Sequence, residues 1–254
     1  MNKKILISLS VIGAVAAIAI GGTIAYFSDT ETSTGNTFTA GSIDLKIDNE
    51  CYLNGALVTD CTWGLKNLDG ELFFNFTDLK PGDWGEDTVS LRVYDNDAWA
   101  CVTFKNLVSA DNTCTEPEGK DEMKGSNNTE GCDTPGELAQ NLYFVFWADN
   151  GDNIWETGEP ILMQGLASDV LAGKTYTLAD SIKSIVPGGG PLKGGTTYYI
   201  GKAWCFGTIT MVPGQHPTCN GVAVDNASQS DSLTGDIEFY AEQARNNPDF
   251  TCTK

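Results

Sequence analysis

Residues 5–25 form an apolar run without a single charge, set behind the pair Lys3-Lys4. After it the pattern changes to short alternating or apolar runs bounded by Gly, Pro, Asn and Asp, the mark of strands joined by turns. Residues 42–48 place Ile43, Leu45 and Ile47 on one face, and residues 87–94 set Val89, Leu91 and Val93 opposite Ser90, Arg92 and Tyr94. Both read as half-buried strands. Residues 71–76 (ELFFNF), 99–108, 141–148, 196–207 and 235–244 continue the series. In LKPGDWGE, Pro81 fixes φ at the second position of a turn and Gly82 supplies a positive φ at the third. About eight strands without intervening long helices predict an all-β, jelly-roll-like β-sandwich. A short helix is expected within residues 177–186.

Residues 109–137 turn to Asp, Asn, Glu, Gly and Thr, with almost nothing apolar to bury, and read as a surface excursion. The glycine-rich residues 187–195 form a second connection. Neither has the character of a domain linker, so residues 42–254 are expected to make one domain, behind a signal at 1–25 and an arm at 26–41.

The charged start and apolar run are those of an export signal. The small residues Thr23-Ile24-Ala25 suit a signal peptidase, with the cut between Ala25 and Tyr26. The alternative is an uncleaved anchor, because the run is about as long as the roughly 20 apolar residues that cross a hydrocarbon core. In that case the chain meets the membrane only through this segment. The formal charge is −19, and removing the signal takes two Lys and no acid, so the mature chain is more acidic still. Such a charge excludes nucleic acid and anionic lipid surfaces as partners, and suits a soluble secreted protein or a cation binder.

All eight cysteines follow the predicted cut, and in an oxidising compartment an even number implies disulfides. Short separations favour Cys51–Cys61 and Cys114–Cys132. The same reasoning extends to Cys205–Cys219, which leaves Cys101 with Cys252. Metal binding is the rival use, but no CxxC pair exists and His216 is the sole histidine.

The segment with most chemistry in it is WADNGDNIWETGEPIL, residues 147–162. With Glu159 as the twelfth position of a calcium loop, Asn150, Asp152, Ile154 and Glu156 fall at the third, fifth, seventh and ninth, an alternation that suits a Ca²⁺ ion. Ala148 stands where the first carboxylate belongs and Asn153 where Gly belongs; the competing reading is an acidic hairpin whose polar residues make the turn. His216 lies between Pro213 and Pro217, and no nucleophile–base motif or HExxH is present, so no catalytic residue is expected. The aromatics Trp147, Trp155, Tyr198, Tyr199 and Trp204 could offer sugar-binding rings, against the plainer reading of core packing.

The segment AYFSD at residues 25–29, followed by NTFTAGSIDL at residues 36–45, resembles the start of the TasA/camelysin family of exported proteins processed by a SipW-type signal peptidase. Segments KPGDWGED, IGKAWCFG and SDSLTGDIEFYAEQARNN look like those of an acidic, cysteine-containing branch. The resemblance implies a jelly-roll subunit that polymerises with itself into biofilm-matrix fibres, the N-terminal segment completing a neighbour's sheet. Tyr26, Phe27 and Phe38 would anchor that segment, with Tyr26–Thr37 as the donor arm. It also implies a second activity, a surface metallopeptidase, which one histidine between prolines does not serve; the other alternative is a monomeric calcium- or carbohydrate-binding cell-surface module, if Asn150, Asp152, Glu156 and Glu159 converge.

Overall fold

The computed structural model describes residues 28–32, 43–113, 117–118 and 136–253. The predicted signal with Ala25, Tyr26 and Phe27, the arm residue Phe38, and Cys114 and Cys132 lie outside them.

Two antiparallel sheets carry the fold. One has four strands, in the order β1 (Ser28–Thr32), β14 (Ser232–Gln243), β7 (Ala98–Ala110) and β10 (Thr175–Ala179). The other has six, in the order β5 (Trp63–Lys66), β2 (Asp44–Asn49), β6 (Trp84–Tyr94), β11 (Thr197–Phe206), β8 (Leu142–Asp149) and β9 (Ile161–Leu166). Two small hairpins, β3 (Tyr52–Leu53) with β4 (Ala56–Leu57) and β12 (Thr208–Thr210) with β13 (Thr218–Asn220), lie beside them. The two main sheets bury one shared core: Leu45, Ile47, Leu91 and Ile200 of the larger sheet belong with Val102, Phe104 and Phe239 of the smaller. Phe104 of β7 meets Phe146 of β8 with ring centres 5.9 Å apart, which ties the layers face to face. The expected all-β sandwich is therefore the observed one.

Strand periodicity explains most of this. In β6 every second residue from Gly85 to Val93 is buried, as a strand with one face on a core requires. β8 and β11 read instead as nearly continuous apolar runs because both their faces are covered. On the outer face Val145, Trp147 and Ala203 form a second small core, with Trp155, Ile209 and Met211 packed over it. The predicted turn is present: Asp83 N–H donates to Lys80 O at 2.8 Å and Gly82 has φ +94°.

Two expectations are corrected. Residues 71–76 are not a strand. Phe73, Phe74 and Phe76 all turn inward, against Phe239, Phe144 and Trp204 respectively, whereas a strand would send alternate side chains to opposite faces. The segment is a loop that plugs the sandwich. Residues 177–186 do not form a helix: β10 runs to Ala179, and Asp180 Oδ1 then accepts the N–H groups of Ile182 (2.8 Å) and Lys183 (2.7 Å), closing a turn that displaces a helical ladder. Among the described residues the α-helices with full bounds are the single turns Leu138–Asn141 and Ala167–Val170.

Among the described residues three disulfides close the fold: Cys51–Cys61, Cys205–Cys219 and Cys101–Cys252. The last pins the C-terminal tail to β7.

Candidate functional site

The N-terminal segment that carries the family-like motif enters the described structure as β1, and its place there is an edge. Ser28, Asp29, Thr30, Glu31 and Thr32 pair antiparallel with Glu242, Ala241, Tyr240, Phe239 and Glu238 of β14. The next strand, β2, belongs to the other sheet. β1 is thus joined to the larger sheet in sequence and to the smaller one by backbone pairing. Without it, β14 would present its unpaired N–H and C=O groups along an edge.

The acidic loop draws some of its predicted ligands together. Asn150 Nδ2 donates to Glu156 Oε2 at 2.8 Å and to Asp152 Oδ2 at 3.4 Å. Much of the oxygen set is engaged by the loop's own backbone. Asp152 Oδ1 accepts from Ile154 N–H, Asn150 Oδ1 from Asp152 N–H, and Glu159 Oε2 from Glu156 N–H. Asp149, outside the predicted set, accepts from Gly151 and Asn153 N–H, and Asn153 takes φ +59°. Burial pushes the Glu159 carboxyl above its usual range, and the negative charges of Asp149 and Glu156 add to that.

A separate acidic group was not foreseen. Carboxylate oxygens of Asp111, Glu118 and Asp231 come within 4.8 Å of one another. The pairing of Ser232 with Ala110 brings Asp231 and Asp111 together from segments far apart in sequence. Burial raises the Asp231 carboxyl, reinforced by the charges of Asp111 and Glu118. No spacing rule could join these residues before the β7–β14 register was known.

Of the aromatics, Trp147 and Trp204 are buried, so neither ring offers a sugar platform. His216 is exposed, with Nδ1 3.0 Å from Glu86. No other histidine exists to complete a metal site with it.

Of the buried polar residues, three meet one another inside the larger sheet's core face. Asn49 of β2, Asp87 of β6 and Lys202 of β11 each have 1% or less of their surface exposed. Lys202 Nζ donates to Asn49 Oδ1 at 2.7 Å and to Phe73 O at 3.2 Å, and sits 3.1 Å from Asp87 Oδ2. Its ammonium also faces the rings of Phe74 (4.4 Å) and Phe73 (5.8 Å). Asp87 Oδ1 accepts Tyr52 N–H at 2.5 Å, and Asn49 Nδ2 donates to Cys61 O at 2.6 Å. Burial raises the Asp87 carboxyl even against the attraction of Lys202, and burial lowers the Lys202 ammonium. The readable signal was a polar residue on the core phase of a strand: Lys202 between Ile200 and Trp204, Asp87 before Val89, Asn49 after Ile47.

Among the described residues no helix is long and apolar enough to cross a membrane. Residues 1–93 match the model of a family described as camelysin metallo-endopeptidase, which bears out the resemblance of the N-terminal region. Comparison with the curated proteins gives no match.

Proposed function

We propose that this chain, whose residues 1–93 match the camelysin family model, is a secreted structural subunit that assembles into extracellular fibres by adding its N-terminal strand to a neighbour. The observation that carries the reading is the pairing of Ser28–Thr32 along Glu238–Glu242 at a sheet edge. The pairing is made by backbone groups, so the same segment from a second copy can take the same five positions. The family match and the acidic, disulfide-closed sandwich suit a protein that works outside the cell.

Electron microscopy of the mature chain beginning at Tyr26, beside a chain lacking residues 26–41, tests this. Filaments are expected from the first and none from the second, provided that circular dichroism shows the truncated chain folded. Filaments from the folded truncated chain would overturn the reading.

The description of the matched family raises peptidase activity as a second reading. The matched residues contain no histidine, and His216 is paired with Glu86, so the expected result is no chelator-sensitive hydrolysis of casein.

A further inference from the structure

The buried group of Asn49, Asp87 and Lys202 has a chemistry that neither fibre assembly nor ordinary packing uses. A primary amine and a primary amide lie in hydrogen-bond contact, with a carboxyl beside the amine, in a pocket walled by Phe73 and Phe74. Lys202 and Asp87 are register partners on adjacent strands, so the backbone holds them together. Asn49 stands one strand further along, on β2, at the end of the run Leu45, Ile47, Asn49 that faces the core.

We propose that Lys202 and Asn49 are joined by a self-formed isopeptide bond, with Asp87 as the group that moves the protons. The reaction needs a neutral amine as nucleophile and a protonated acid near the amide oxygen. Lys202 hands its proton to Asp87. The free pair on Nζ attacks Asn49 Cγ while the Asp87 acid supports the negative charge growing on Oδ1. The Nζ–Cγ bond forms. The Cγ–Nδ2 bond then breaks, and Nδ2 leaves as ammonia with a proton released by Nζ and relayed through Asp87. An amine and a primary amide become a secondary amide and ammonia, with no oxidant, reductant or co-reactant. Burial favours the neutral amine and the protonated acid, and shields the carbonyl from water. Fixed contact between the reacting groups replaces a bimolecular encounter.

The bond would tie β11 to β2 across β6, within the larger sheet. It does not depend on the fibre reading, since it forms inside one chain.

Mass spectrometry of the purified, reduced and denatured full-length protein tests it. The wild type should be lighter than its sequence by one ammonia, about 17 Da. After trypsin, a branched peptide should join residues 47–66 to a peptide in which Lys202 has resisted cleavage. Lys202→Arg and Asp87→Asn should both keep their full sequence mass. The wild-type measurement decides even where a variant fails to fold. A folded wild type at full mass, cleaved after Lys202, would overturn the proposal. An Asp87→Asn chain that still loses ammonia would overturn the role given to Asp87.

Discussion

Asp180 is the residue on which the C-terminal tail turns. One carboxylate oxygen accepts from Ile182 and Lys183 N–H; the other accepts from Cys252 N–H at 3.2 Å and from the Thr177 hydroxyl at 3.2 Å. Burial acts to raise this carboxyl, but the hydrogen bonds from Lys183, Ile182, Cys252 and Thr177 together outweigh it and hold the group below its ordinary range. An acid whose folded pKa is depressed adds stability that is present above its unfolded value and is lost as pH falls through the folded one. Asp180→Asn should therefore cost roughly 1–2 kcal/mol at neutral pH, and its stability should fall less steeply than that of the wild type below about pH 4. Urea titrations at several pH values check both. The residue scale is also where sequence reading stopped short. Asp180 is one polar residue among several in TLADSIKSIV, and its four donors come from three directions, one of them the far end of the chain. Lys202, Asp87 and Asn49 broke the apolar alternation openly, yet each sits where a polar residue also passes for a strand end or a register slip.

At the scale of elements, β11 leaves a gap beside the large side chain of its neighbour β8. Gly201 is the register partner of Trp147, and a Cβ there would come 2.1 Å from the indole ring. Gly201→Ala should destabilise by about 1–3 kcal/mol through overpacking, read as a lower midpoint in thermal or urea unfolding. A serial change such as Gly158→Ala meets no neighbouring atom, though its φ of +108° adds backbone strain, so it is not a neutral control. Strand location was well signalled by periodicity: residues 87–94 fall within β6, and residues 235–244 overlap β14 up to its end at Gln243. Periodicity failed at ELFFNF, because three phenylalanines close together look alike in a buried strand and in a loop that plugs a core. It failed again at residues 177–186, where the turn made by Asp180 overrides a weak helical pattern. The missing information in both cases is tertiary.

The whole molecule is held by bonds of very different span. Cys101–Cys252 closes a separation of 151 residues and Cys51–Cys61 one of 10. On the chain-entropy account, replacing both cysteines of the long bridge by alanine should cost about 5 kcal/mol, against about 3 kcal/mol for the short one. Denaturant midpoints of the two double variants check the order. The sandwich and these short bridges could be read from strand patterning and cysteine spacing; the long bridge followed only by elimination. The strand order could not be read, and neither could the pairing of β1 with the distant β14, because backbone hydrogen bonds leave no trace in side-chain sequence. That pairing is where the proposed strand addition can be tested. Thr32 and Glu238 are register partners, so a Thr32→Cys/Glu238→Cys chain can report which copy supplies the strand. Oxidised under assembly conditions and run on a denaturing gel without reductant, it should give a ladder of linked chains if strands are added from neighbour to neighbour. A disulfide found only within single chains, in a preparation that forms filaments, would contradict strand addition as the means of assembly.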